Sequence, residues 1–209
     1  MENYQYIVVE GNIGVGKTSF VDLFYKEFKY HKLYENFKNN PFLADFYNDD
    51  KSNIFQMESY FLVERYKQLI NLHNKINNNI ISDFLFSKSL LFAEINLSKS
   101  EFKLFKVIFD QFDRLIKEPD LMIFLSSDIN KISKQIRQRD RFFEKKISRQ
   151  YLEKVNIGYE KLLELEKNKF PILCFDVTNI DFIDQKPIFK KILTYLNKSY
   201  SKGIHNISL

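Results

Sequence analysis

The chain has 209 residues, 44% of them hydrophobic, with 22 Phe and 12 Tyr but no Trp; that is enough for one domain, or one domain with a small lid, around an aromatic-rich core. Its 32 basic and 27 acidic residues leave a net charge of +5, spread along the chain with no arginine-rich run and no RNA- or DNA-binding signature. So mild an excess suits an anionic small substrate as well as it suits nucleic acid.

Tyr6 to Val9 reads as a short buried strand. Gly11-Asn12-Ile13-Gly14-Val15-Gly16-Lys17-Thr18 follows and fits G-x-x-x-x-G-K-[ST] at every fixed position. Ser19 to Phe28 then carries apolar residues at Phe20, Val21, Leu23, Phe24 and Phe28, the face of a helix. Strand, loop and helix together give the pattern a mechanism. The glycines let backbone N–H groups curl round phosphates at the positive end of the helix. Lys17 adds a charge for the β- and γ-phosphates, and the Thr18 hydroxyl can reach Mg²⁺.

Lys32 to Glu35 is a second strand ending in a carboxylate, and Pro41 opens a short helix to Tyr47. A long helix spans Ile54 to Asn77, with a break at Asn77-Asn78-Asn79. Ile80 to Asp83 is an apolar strand that again ends in an acid, and Phe84 to Glu94 is helical. Ser98 and Glu101 form a capping box for a helix reaching about Lys117. Leu121 to Leu125 is a buried strand, and Asp128 caps a helix through Ile136. Arg137 to Lys146 is basic and aperiodic. Tyr151 to Lys167 is a helix mildly interrupted by Gly158, Pro171 to Val177 a fifth strand, Pro187 to Leu196 a last helix, and the tail beyond Ser199 frays. Five alternations of strand and helix predict an α/β fold with a five-stranded parallel sheet flanked by helices. Ligands in such sheets bind at the carboxyl ends of the strands, where the glycine-rich loop, Glu35 and Asp83 all fall.

The single Cys174 forms no internal disulfide and points to a reducing compartment. No apolar run approaches the roughly 18 residues of a membrane helix. The first strand begins within a few residues of Met1, which leaves no room for a signal peptide. The expectation is a cytoplasmic protein that engages neither membrane nor nucleic acid. His31, His73 and His205 lack metal-ligand spacing.

Beside the phosphate-binding loop stand Glu35, Asp83 and the segment Arg137-Gln138-Arg139-Asp140-Arg141-Phe142-Phe143-Glu144. Phosphoryl transfer needs such parts: a base for the acceptor hydroxyl, a carboxylate for Mg²⁺ and cations over the moving phosphoryl group. Together with Tyr34-Glu35, Asn40-Pro41-Phe42-Leu43 through Tyr47, Glu58-Ser59-Tyr60-Phe61-Leu62 and Ile81-Ser82-Asp83, this set resembles the deoxyribonucleoside kinase family, most closely its bacterial deoxyadenosine/deoxyguanosine kinases. The resemblance covers nearly the whole chain. The loop alone is common to many NTPases, whereas the ordered set with its R-x-R-x-x-E segment is specific.

The resemblance implies a P-loop kinase fold over residues 1–209, with an arginine-rich lid at about 137–147. It implies ATP-dependent phosphorylation of a deoxynucleoside 5′-hydroxyl with Mg²⁺, by a homodimer packed through helices such as Phe102 to Leu115. Glu35 matches the carboxylate that takes the hydroxyl proton. Asp83 matches the acid that holds Mg²⁺, and it also suits a helix N-cap. Tyr47 and Glu144 match the pair on the sugar 3′-hydroxyl, and Arg139 and Arg141 the lid arginines that clamp the phosphates. Three departures stand out. Phe84 replaces the family's arginine after the third-strand acid, and Lys88 or Arg65 are the candidates to stand in for it. Asp140 occupies a lid position where the family often has Gly. Glu58 replaces the family's base-reading Gln; an ionised Glu only accepts hydrogen bonds, which suits guanine donors or an adenine amino proton. Arg65, seven residues on, shares a helix face with Glu58, so an Arg65–Glu58 pair is expected to orient that carboxylate. Phe42, Phe61 and Phe84 are aromatic residues for stacking on a base or for the core.

The expected reaction is phosphorylation of a purine deoxynucleoside. A thymidylate-type monophosphate kinase shares loop, sheet and lid, a pyrimidine deoxynucleoside kinase differs only around Glu58, and a non-catalytic nucleotide-binding module is kept open by Phe84.

Overall fold

The computed structural model describes residues 4–48, 50–75, 79–138 and 146–209, with backbone alone at 72–75. The segment Tyr6–Gly11 forms β1, buried at every position, which is why Tyr6 to Val9 reads as a continuous apolar run rather than an alternation. Both faces are covered: Ile7 and Val9 enter one core, Tyr6 and Val8 the other.

In chain order the other elements are α1 (Lys17–Phe28), β2 (His31–Leu33), α2 (Leu43–Tyr47), α3 (Ile54–Lys75), β3 (Ile80–Ser82), α4 (Lys88–Asn96) and α5 (Lys99–Asp113). They continue with β4 (Leu121–Ser126), α6 (Ile129–Gln138), α7 (Arg149–Glu166), β5 (Pro171–Asp176), α8 (Lys186–Leu196) and β6 (Gly203–Ile207). The strands pair in the order β2-β3-β1-β4-β5-β6, all parallel. One face packs on α1 and α8 through Phe20, Phe24, Phe189 and Ile192. The other packs on α3, α4, α5 and α7 through Leu62, Leu91, Phe105, Val155 and Tyr159. A smaller cluster of Ile129, Ile132 and Ile136 with Leu152 joins α6 to α7.

From β1 the chain runs to the edge strand β2, returns to β3 beside β1, then crosses to β4 on the other side of β1 and builds outward through β5 and β6, so the direction of winding reverses at β1. A crevice at the carboxyl ends of the strands follows from that reversal.

Several expectations change. The sheet has six strands, not five, because the tail does not fray: β6 pairs in parallel with β5 from Gly203 opposite Pro171 to Ile207 opposite Phe175. An edge strand is covered on one side only, so Gly203–Ile207 is half-exposed and lacks the apolar run that marks the central strands. Gly158 does not interrupt α7; a Cβ there would lie 2.9 Å from Leu91 Cγ, so its absence lets α7 lie close against α4. The third-strand acid caps no helix, since α4 starts at Lys88 and not at Phe84. Phe84 is fully buried in the core, behind a turn in which the Ser82 hydroxyl donates to Phe84 O at 2.8 Å and accepts from Phe84 N–H at 3.1 Å. The Ser98–Glu101 capping box forms as read, and Asp128 Oδ1 accepts from Lys131 N–H at 2.8 Å at the start of α6.

Candidate active site

The loop between β1 and α1 depends on glycine for steric reasons. Gly11 has φ 146° and a Cβ on it would sit 2.3 Å from Leu125 O, so nothing larger fits between β1 and β4. Gly14 (φ 86°) lies against Ile136, and Gly16 (φ 109°), the residue before α1, lies against Phe182. Asn12 and Val15 stabilise the loop from inside. The Asn12 amide donates to Leu152 O at 2.9 Å and to Asn156, its oxygen accepts Ile13 N–H at 2.7 Å, and Val15 is buried. The first turn of α1 has neither a side-chain cap nor an acidic residue, which leaves its N–H groups open to an anion. Lys17 Nζ donates to the carbonyls of Gly11 (2.7 Å) and Asn12 (3.1 Å) within the loop. Burial and the nearby Lys88 charge lower its pKa to about 8.

Two strand ends deliver carboxylates to this loop. Asp83, just beyond β3, is buried; its Oδ2 accepts the Thr18 hydroxyl at 2.7 Å and its Oδ1 accepts Glu35 N–H at 2.7 Å. Burial raises its pKa, the Thr18 hydrogen bond opposes this, and the Glu35 charge adds to it. The Thr18 hydroxyl and the Asp83 carboxylate are adjacent hard oxygens, a donor set that fits Mg²⁺, which takes one or two protein ligands and fills its shell with phosphate and water. Among the described residues no group of three or more His, Cys, Asp or Glu forms a metal cage, in keeping with that partial ligand set.

Glu35, two residues beyond β2, sits between two buried cations. Arg65 of α3 donates to Oε1 through Nε (2.8 Å) and Nη2 (2.5 Å), and Lys88 of α4 donates to Oε2 at 3.1 Å. Arg65 Nη1 is fixed in turn by Ser89 Oγ at 2.8 Å. Burial alone would raise the Glu35 pKa, but Lys88 and Arg65 outweigh it and hold the carboxyl well below the ordinary carboxylate range. Both candidates for the arginine absent at Phe84 therefore contact Glu35.

A cleft open to solvent joins these groups. Lys17, Thr18, Glu35, Asp83, Arg65 and Lys88 line it together with Phe37, Phe46, Tyr47, Phe61, Phe92 and Tyr151. Tyr47 and Tyr151 each lie against the Phe46 ring, at 5.2 and 5.8 Å between centroids. Phe61 lines the cleft; Phe42 does not, and Phe84 belongs to the core.

Glu58 also lines the cleft, 2% exposed, but the expected Arg65–Glu58 pair does not form. Seven helical residues share a face yet stand about 10 Å apart along the axis, and Arg65 turns to Glu35. Glu58 Oε1 instead accepts the Asn96 amide at 2.7 Å, and the same Asn96 nitrogen donates to Tyr151 OH at 3.1 Å. Arg139, Arg141, Glu144 and Asp140 lie outside the described residues. Arg137 lies in the last turn of α6 and is exposed.

Sequence reasoning missed Glu10. It is fully buried at the end of β1, where Oε1 accepts Leu85 N–H at 2.7 Å and Oε2 accepts the Tyr159 hydroxyl at 2.7 Å and Gly11 N–H at 3.1 Å. An acid closing an apolar strand was the available signal. Asn96 and Tyr151 carried none.

Residues 7–201 match the family described as deoxynucleoside kinase. A deoxyguanosine kinase of Bacillus subtilis is 30% identical over 95% of this chain and 99% of its own length. The deoxyadenosine/deoxycytidine kinase of the same organism is 26% identical over 90% of this chain and 89% of its own. Among solved structures, M. mycoides deoxyadenosine kinase with bound dATP superposes with a TM-score of 0.81 at 25% identity, over 92% of this chain and 100% of that one. None of the helices described is long and apolar enough to cross a membrane. With a family match running from the second residue of β1 to beyond α8, and a relative similar along almost its entire length, the chain belongs to the deoxynucleoside kinase family.

Proposed function

We propose that the protein transfers the γ-phosphoryl group of ATP to the 5′-hydroxyl of a purine deoxynucleoside, with residues 1–209 acting as one catalytic domain. The observation that carries this is the Glu35 carboxylate, held between Arg65 and Lys88 while its own N–H is tied to Asp83, which in turn meets Thr18 of the glycine-rich loop. Donor loop and acceptor base are thus two hydrogen bonds apart.

In this reading the loop N–H groups from Gly11 to Thr18 and the Lys17 ammonium hold the β- and γ-phosphates. Thr18 and Asp83 would hold Mg²⁺, directly or through water, and the ion would supply charge neutralisation on those phosphates. Glu35 accepts a hydrogen bond from the 5′-hydroxyl and takes its proton as the oxygen–phosphorus bond forms. Its depressed pKa makes it a weak base, which suits a loose transition state in which that proton leaves late. Arg139 and Arg141 clamp the moving charge from the lid, and Tyr47 with Glu144 holds the sugar 3′-hydroxyl. Glu58 and the aromatic side chains around it receive the base. A homodimer goes with this reading, supported by the exposed Leu104, Val107 and Ile108 on α5. So does a cytoplasmic setting, with Cys174 a free thiol.

The test is a transfer assay with labelled ATP and Mg²⁺ against each deoxynucleoside and each deoxynucleoside monophosphate. Label on deoxyadenosine or deoxyguanosine is expected; label on a monophosphate alone overturns the reading. A monophosphate acceptor needs a cation ready for its phosphate, whereas Arg65 and Lys88 both face Glu35.

Lys88 gives a further expectation. Its charge favours the Glu35 carboxylate, so removing it raises the pKa of that group. Activity that needs the carboxylate then fades at a higher pH on the acid side. Lys88→Met is expected to lower kcat roughly tenfold near pH 8 and to lose a larger share of its activity near pH 5 than the wild type does. An unshifted acid limb in the pH–rate profile refutes the tuning role.

A further inference from the structure

Glu58 is a carboxyl in the cleft with no cation of its own among the described residues. Arg65 and Lys88 both contact Glu35, and the hydrogen bond that Glu58 does receive comes from a neutral amide, Asn96 Nδ2 at 2.7 Å. The Tyr151 hydroxyl accepts from the same nitrogen at 3.1 Å. A carboxyl so placed is poised between two hydrogen-bonding states. Ionised, it offers only acceptors; protonated, it offers one donor and one acceptor.

The two purines present these same patterns in reverse. Guanine carries adjacent donors, N1–H and the 2-amino group. Adenine carries an acceptor at N1 beside the 6-amino donor. Resting on the kinase reading of the cleft, we propose that Glu58, held by Asn96, sorts the acceptor base by its protonation state. The carboxylate pairs with guanine and the neutral acid pairs with adenine, so preference moves from deoxyadenosine to deoxyguanosine as pH rises. A mismatched purine leaves a buried donor against a donor or an acceptor against an acceptor, which polar sites reject strongly.

The surroundings set the range. The Glu58 pKa is raised to about 7 on balance: burial pushes it up, the Asn96 hydrogen bond and the Arg65 charge oppose this, the Glu35 charge adds to it, and Lys88 opposes it. Lys88 on α4, its pKa raised, and Glu35 before α2, its pKa lowered, keep their charges near neutral pH, and Arg65 on α3 faces Glu35. Tyr151 on α7 is held neutral by burial, its pKa raised. Lys17 titrates near pH 8 but serves both purines equally.

The experiment is the ratio of kcat/KM for deoxyguanosine to that for deoxyadenosine from about pH 6 to 8.5, at saturating Mg²⁺ and ATP. Both substrates share Glu35, Lys17 and Asp83, so titration of those groups cancels in the ratio, as does any inactive fraction of enzyme. The ratio is expected to rise by about tenfold per pH unit around pH 7. Glu58→Gln, locked as donor plus acceptor, gives a low and flat ratio. Asn96→Ala, which loses the hydrogen bond favouring the carboxylate, moves the rise to higher pH. A flat ratio in the wild type, or a rise that survives in Glu58→Gln, overturns the inference while the kinase reading stands. Absence of transfer to any deoxynucleoside overturns both.

Discussion

Glu35→Gln lowers kcat for phosphoryl transfer by about 10²- to 10⁴-fold, the range of a positioned general base. ATP affinity changes little, because among the described contacts no side chain of the glycine-rich loop hydrogen-bonds the Glu35 carboxylate. The amide retains an oxygen for Arg65 but cannot take the hydroxyl proton. It also leaves Arg65 and Lys88, 4% and 5% exposed at their side chains, without their shared counter-charge. Uncompensated buried charge is destabilising, tempered here because Glu10 and Asp83 also act on Lys88. The fold is retained with a lower thermal midpoint. Steady-state kinetics, nucleotide titration and a melting curve separate the three effects, and a wild-type kcat refutes the base assignment.

Asp83→Asn is expected to act with the opposite sign on stability. Its oxygen keeps Glu35 N–H, and its new amide group can face the Thr18 hydroxyl, which rotates to accept. Removing the charge relieves the burial of a carboxylate and its repulsion with Glu35, which together raise the Asp83 pKa in the wild type. Stability therefore holds or rises. Activity falls about 100-fold or more, and the Mg²⁺ concentration for half-maximal rate rises by about 10- to 100-fold, as when a metal-binding group is lost. The measurement is a Mg²⁺ titration of the transfer rate beside the melting curve. An unchanged Mg²⁺ requirement removes Asp83 from the metal site.

What was legible in the sequence was local. Gly11 to Thr18 sits between a buried strand and an amphipathic helix, and those three features constrain one another over about twenty residues. Glu35 and Asp83 were legible because an acid that follows a strand in an α/β chain arrives at the ligand edge. The sixth strand was hidden by its half-exposed edge position. The partner of Arg65 was hidden for another reason: periodicity gives the face of a helix but not its neighbour, and Glu35 comes from a separate element 30 residues earlier. Lys88 was visible as a residue, but taking α4 to begin at Phe84 obscured that the chain turns first, buries Phe84 and then brings Lys88 to Glu35. Asn96 and Tyr151 meet Glu58 from α4 and α7, at sequence separations of 38 and 55 from one to the next, and no short-range pattern reports such a meeting.

The posture of Lys17 has a consequence for solution thermodynamics. Its ammonium rests on the Gly11 and Asn12 carbonyls, with a proton affinity reduced until the group is only partly charged near pH 8. Arrival of a polyphosphate restores that affinity. If Lys17 holds the phosphates as proposed, nucleotide capture in mildly alkaline solution is expected to take up a proton and to tighten as pH falls through about 8. The heat it releases depends on the ionisation enthalpy of the buffer, so titration calorimetry in two buffers at one pH counts the proton taken up.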